Sequence, residues 1–284
     1  MDILKGLMKY VQHPQEDSLR ERSYAAYSFF VNSLKFRMSN VNTPQGEICI
    51  DRNVRLKVVD EKSYFAFRYF TDFDNEMVEE MKGFLSLTHS SKCFLDVGAH
   101  YGIFSLAFSV RPDSFAYALE PSPDAFEVLE GNIVLNADNA IKAYPFAAGS
   151  SNAKINLFSD GSDHFVATQT SESYISVDMV RLDDFILEQE IKPDVIKIDV
   201  EGYELDVLSG AQQLLVDYSP LIFLEIHPVE LQSLGKDSTQ LVHFIKNLNY
   251  EFFDPRGKAI DPKTLIEIDR VIRVVCRKPT QSTS

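Results

Sequence analysis

The chain lacks any apolar run approaching the roughly 20 residues that a membrane-spanning helix requires, so no membrane span is expected. Cysteine is scarce: Cys49, Cys93 and Cys276 are the three in 284 residues, spaced too widely for a disulfide framework or a zinc site. The opening stretch MDILKGLMKYVQHPQEDSLR is broken by charges and has no signal-peptide core. Together these gaps make a cytoplasmic, reduced protein the expectation. Low-complexity sequence is also missing, apart from the polar tail over 279–284, which is expected to be flexible.

Positive charge is the other deficit. The formal net charge is −14, and it is unevenly spread. Residues 1–70 hold 11 Lys/Arg against 8 Asp/Glu, whereas the remainder holds 17 against 34. An acidic body repels phosphate backbones, which argues against duplex nucleic acid as a partner. No Asn/Asp-Pro-Pro-aromatic segment of a base methyltransferase is present either.

What the chain does have is 45% hydrophobic and 12% aromatic residues, enough for a sizeable core. Leu4, Leu7, Met8 and Val11, then Tyr24, Tyr27, Val31, Leu34 and Met38, follow helical spacing on either side of Pro14. These helices could pair two copies into a homodimer. EICIDRNVRLKVV, 47–59, reads as a hairpin turning near Arg52 and Asn53, and a helix is expected over about 73–88. Residues 1–90 are thus expected to form a cap or arm.

Beyond Ser91, short apolar runs alternate with helical stretches: CFLDVG, SFAYALE, AYPFAA, KINLFSD, YISVDMV, DVIKIDV, LIFLEIH, YEFFD and VIRVVCRK. That pattern predicts a doubly wound, Rossmann-like α/β domain over 91–278, its parallel sheet covered on both faces. Ligands of such sheets bind outside the carboxyl ends of the strands. Here those ends are Asp96–Gly102, Glu120–Ser122, Ala147–Ser150, Asp199–Glu204 and Glu225–His227, all polar or glycine-bearing.

At the first end, Gly98 and Gly102 allow a tight turn and a close ligand approach. A dinucleotide turn needs a further glycine where this chain has His100, and Asp96 would repel a pyrophosphate. Glu120, 22 residues past Gly98, stands where a carboxylate accepts from both ribose hydroxyls. Ser122 then caps a helix with Pro123 at its first position. An acid, a glycine turn without the pyrophosphate glycine, and a ribose carboxylate together suit S-adenosylmethionine, leaving S-adenosylhomocysteine as product. Asp96, Gly98, Ala99, His100, Tyr101 and Gly102 would hold its amino-acid end. Glu120 and Pro121 would meet the ribose, and Ser122, Ala147 and Ala148 the adenosine side.

FLDVGAHYGIFSL, ALEPSPDAFEVLEGNI, VRLDDF, DVIKIDVEGYELDVLSGA and LIFLEIHP resemble, in order and spacing, the FkbM-type methyltransferases. The resemblance runs from about Cys93 to His227, with His100 where the family usually has asparagine. It implies a class I fold and methyl transfer from S-adenosylmethionine, commonly to a hydroxyl of a sugar or natural product. The partner is then a small-molecule or glycan acceptor.

Methyl transfer to oxygen needs the acceptor held in line and its proton removed. Asp199, Glu201 and His227 are the catalytic candidates, with Glu225 behind them; Asp199 also faces the donor. Glu204 and Asp206 are accounted for by the helix dipole. The same acids could instead hold a divalent cation, but no compact ligand motif supports one, and no metal is assigned. A nicotinamide-dependent oxidoreductase shares the fold and Glu120 but not the turn. A non-enzymatic domain with a degenerate cofactor pocket is the other alternative.

Overall fold

The computed structural model describes residues 46–52, 54–71, 76–136, 140–159, 164–166 and 174–279. The two amphipathic stretches before residue 40, and the dimer contact inferred from them, lie outside the described residues.

The described residues open with an antiparallel hairpin, β1 (Glu47–Cys49) and β2 (Arg55–Lys57), then α1 (Glu61–Arg68) and α2 (Glu76–Leu87). Alternation follows: β3 (Cys93–Val97), α3 (Ile103–Ser109), β4 (Phe115–Leu119), α4 (Pro123–Asn136), β5 (Ile141–Tyr144) and β6 (Phe146–Ala148). Next come β7 (Ala153–Ser159), β8 (His164–Val166), β9 (Tyr174–Val180), α5 (Leu182–Glu188), β10 (Val195–Ile198), α6 (Glu204–Gly210) and α7 (Gln212–Asp217). The chain closes with β11 (Leu221–Ile226), α8 (Pro228–Ser233), α9 (Ser238–Asn247), β12 (Glu251–Phe253), α10 (Pro262–Glu267) and β13 (Ile272–Arg277).

Local chemistry explains the boundaries. Asp60 starts α1 by accepting from Ser63 N–H, and Asp237 with Gln240 forms a reciprocal capping box at α9. Ser122 Oγ accepts from Ala125 N–H at 3.3 Å, and Pro123 opens α4 as expected. Pro228 opens α8, where its missing N–H costs nothing. Asp183 does not cap its own helix; its carboxylate accepts from Gln213 and Leu214 N–H and fastens the start of α7.

The main sheet runs β12-β13-β11-β10-β3-β4-β5. From β11 through β5 neighbouring strands are parallel, but β13 is antiparallel to both β11 and β12, so the sheet is mixed rather than wholly parallel. The second departure is AYPFAA. Pro145 cannot donate to a ladder, and the segment splits there into β5 of the main sheet and β6 of a second sheet, β6-β9-β7-β8.

Alternate strand residues feed two cores. Leu95, Val97, Ile196, Ile198, Leu224 and Ile226 pack on one face with α5 to α9. Phe94, Ala116, Ala118, Phe223 and Val275 pack on the other with the hairpin, α1, α2 and α3. Phe84 of α2 is fully buried there, with Phe94, Phe104 and Phe223 rings about it at 5.1–5.2 Å. Burying one such ring contributes about 1.5–3 kcal/mol. Residues 47–87 therefore supply much of the covering of this face.

Candidate active site

Strand β3 has β4 on one side and β10 on the other, so chain order reverses at β3. A crevice opens at the carboxyl end of such a switch point. The turn after β3 is held from both sides. Gly98 and Ala99 N–H donate to Leu119 O at 2.9 and 3.0 Å. Gly98 has φ +81°, and a Cβ there would lie 1.9 Å from the carbonyl oxygen of Asp199, so only glycine fits. His100 also adopts a left-handed φ of 50°, with its ring stacked on Tyr101 at 3.7 Å. The turn ends at Gly102, φ +88°, against Leu129.

Glu120 fastens this turn to the next. One carboxylate oxygen accepts from His100 N–H at 2.7 Å and the other from Ser122 N–H at 2.8 Å. Burial pushes its pKa up to about 7, against the pull of those two N–H groups. Next to it, Pro121 lines a cleft of about 500 Å³ with Pro123, Phe126, Pro145, Ile175 and Val177. Ala147 and Ala148 are buried in β6, their methyls in two different apolar clusters, so any part they play toward a ligand is through backbone.

Asp96 is 1% exposed and lies beneath the first turn of α3, where Oδ2 accepts from Ser105 Oγ at 2.7 Å. Its other oxygen has no hydrogen-bond partner among the described residues. Burial pushes its pKa up to about 6, opposed by Lys197.

Across the crevice, the turn after β10 carries the acids. Asp199 Oδ2 accepts from Lys197 Nζ at 2.7 Å. Glu201 sits at φ 49° and Gly202 at φ +97°, the latter pressed against Glu230. His227 ends β11 and stands immediately before α8, only 3% exposed. Its Nδ1 lies 2.7 Å from Glu204 Oε1, and its Nε2 lies 3.5 Å from Glu201 Oε2, 3.8 Å from Glu225 Oε1 and 3.9 Å from Asp199 Oδ1. One ligand-type atom from each of Asp199, Glu201 and His227 falls within 4.8 Å of the others. Three residues from two neighbouring strand ends, those of β10 and β11, thus meet in space.

The electrostatics follow from that crowding. For Asp199, burial works upward, but Lys197 and then His227 hold its carboxyl well below the ordinary range. Burial works downward on His227, yet the Glu204 hydrogen bond and the charges of Glu201 and Asp199 push it up to about 10. Glu201 is raised to about 7 by desolvation and by neighbouring carboxylates, against His227. Its side chain is 57% exposed, with the carboxylates of Asp199, Glu230 and Glu204 around it.

Four participants escape a reading by strand ends alone. Lys197 is buried inside β10, opposite Asp96 in register and 4.8 Å from the Phe104 ring centre. Arg273 of β13 pairs with Glu225 and reaches Glu80 of α2 at 3.2 Å. Glu204, ascribed to the helix dipole, is the buried partner of His227. A lysine within an apolar strand was the one visible signal; the remaining partners are distant in sequence.

A family model for the methyltransferase FkbM domain matches residues 96–252. The hexuronic acid methyltransferase AglP of Haloferax volcanii is 26% identical over 188 residues, 61% of this chain and 76% of that protein. Methyltransferase sdnD of Sordaria araneosa is 29% identical over 160 residues, 44% of this chain and 62% of its own length. The crystal structure of methyltransferase FkbM from Methylobacillus flagellatus KT overlays with a TM-score of 0.42 at 20% identity, covering 66% of this chain and 43% of that one.

Proposed function

The chain belongs to the FkbM methyltransferase family, and from that premise we propose that it transfers a methyl group from S-adenosylmethionine to an oxygen of a sugar, glycan or natural product. The observation that carries this reading is the meeting of Asp199, Glu201 and His227 beside the Gly98 turn. The relative named for hexuronic acid supports a glycan-like acceptor.

The residues present fit the donor. Asp96 has a buried carboxylate oxygen without a partner, suited to a cationic amino group, and Glu120 offers a buried carboxylate for ribose hydroxyls. Gly98 and Gly102 let the turn take positive φ and close against the Asp199 carbonyl and Leu129, where a side chain has no room. When bound, S-adenosylmethionine supplies an electrophilic methyl group on a positively charged sulfur.

The protein's own contribution is placement and proton removal. Asp199, Glu201 and His227 frame the acceptor oxygen, and Glu201, the one of the three raised toward neutrality, receives its proton, while Lys197 and Glu204 hold the cluster from behind. The test is calorimetric titration with S-adenosylhomocysteine, with NAD and NADH alongside. Micromolar binding of the thioether, weakened at least tenfold in Glu120→Ala, supports the reading. Binding of a nicotinamide cofactor alone overturns it in favour of an oxidoreductase, and silence from all three favours a non-enzymatic domain.

A further inference from the structure

Each of the three side chains that meet at the β10 and β11 ends is anchored at its back or lies open at its front. Asp199 gives Oδ2 to Lys197 Nζ and turns Oδ1 toward His227. Glu204 Oε1 already accepts from Gly202 N–H at 2.9 Å, so toward His227 it is again the acceptor and the proton lies on Nδ1. That leaves Nε2 of a 3%-exposed imidazole as the atom presented to the acids, carrying a proton or giving its lone pair to a cation in the proton's place. It points at Glu201 Oε2 and Asp199 Oδ1 across 3.5 and 3.9 Å, beyond hydrogen-bonding distance.

Three carboxylate oxygens surround this nitrogen, with Glu225 Oε1 at 3.8 Å, so a positive charge belongs among them: the Nε2 proton in the empty site, and a metal cation in its place when one is bound. The spacing is that of ligands around one ion: two donors about 2.1 Å from a tetrahedral centre stand ~3.4 Å apart. A carboxylate behind the imidazole is the usual support of a metal-bound histidine, fixing its tautomer and orientation. We propose that Asp199 Oδ1, Glu201 Oε2 and His227 Nε2 form a binding site for one divalent transition cation, with Glu204 as its positioning residue.

One nitrogen and two carboxylate oxygens suit manganese, cobalt or zinc rather than the all-oxygen shells of calcium or magnesium. Three protein ligands leave positions open. If the oxygen-methylation reading holds, on which this use of the site rests, those positions receive an acceptor that presents two neighbouring oxygens. Metal coordination would then acidify the hydroxyl to be methylated. The ligands lie 28 residues apart at their widest, which is why no compact motif marks them.

The experiment is titration of chelator-treated full-length protein with Co²⁺, followed by calorimetry and by visible absorption. S-adenosylhomocysteine binding is measured on the same samples. One Co²⁺ per chain is expected, with ligand-field bands. Binding should weaken at least tenfold in Glu201→Gln, whose open position lets the variant fold, and in Asp199→Asn. Glu204→Gln should retain the bands in altered form with ten- to a hundredfold weaker binding, because it changes orientation rather than removing a ligand. Absence of Co²⁺ and Mn²⁺ binding, or binding equal in Glu201→Gln, overturns the proposal. Thioether binding without metal binding sinks the cation site and leaves methyl transfer standing; the reverse pattern leaves the site and removes the donor.

Discussion

His227 Nδ1 meets Glu204 Oε1 at 2.7 Å, and both residues are buried, 3% and 0% exposed. A charge-assisted bond in that setting contributes about 1.5–3 kcal/mol. Glu204→Ala should therefore lower the unfolding free energy by ~2 kcal/mol. In a double-mutant cycle with His227→Ala the two effects should fall short of additivity by ~1–3 kcal/mol. Urea denaturation of the four proteins measures this, and additive losses would show that the pair is not coupled.

Gly98 and Gly235 offer a matched pair of glycine substitutions. Both have positive φ, +81° and +72°, but an added Cβ would strike the Asp199 carbonyl at Gly98 and meet nothing within 4 Å at Gly235. Gly235→Ala should cost about 1 kcal/mol, the left-handed penalty alone. Gly98→Ala should cost several times more and abolish binding of S-adenosylhomocysteine. Equal melting temperatures for the two variants would contradict the close approach.

The raised pKa of Glu120, about 7, sets a pH dependence. Its folded form holds a proton more tightly than the unfolded chain does, so its stabilising contribution is complete below about pH 4 and is lost as pH rises through 7. Asp96, raised to about 6, adds to the same slope. Glu120→Gln cannot ionise, so its melting temperature should gain on the parent between pH 5 and pH 8. A constant difference across that range would show that Glu120 does not titrate there.

Burial orders the cysteines. Cys49 is exposed, Cys93 is pushed up to about 11 by desolvation and by Asp194, and Cys276 is fully buried. Iodoacetamide at pH 8 should modify Cys49 within minutes and spare the other two in the folded protein. Peptide mass spectrometry reads the result.

Arg273 neutralises Glu225 and Glu80 together. Arg273→Met strands two buried carboxylates and should destabilise the protein by ~3–5 kcal/mol. Adding Glu80→Gln should restore part of that loss, which a purely steric effect would not allow.

How much of this was legible in the sequence follows from where the partners lie. Glycines, caps and apolar runs act within a few residues of themselves, so the Gly98 turn, the start of α4 and most strands could be read directly. The direction of β13 could not, because it depends on which edge the last strand finds. Nor could the change of sheet at Pro145, since proline marks the interruption but not its destination. Asp199, Glu201 and His227 stand out as polar residues at the ends of apolar strands, and the structure brings them together. The charges behind them arise from two register pairs, Asp96 with Lys197 and Glu225 with Arg273, and no local pattern carries register.

At the far end of α6 from Glu204, a Cβ on Gly210 would lie 2.0 Å from the carbonyl oxygen of Gly149, just past β6. Backbone there touches backbone, so the spacing is fixed by atomic radii and leaves no side chain to adjust. The helix that bears the histidine's partner and the strand leading into the second sheet thus share one hard stop. A substitution that draws these two scaffolds closer is therefore not available, and any tightening between them has to come from side chains elsewhere.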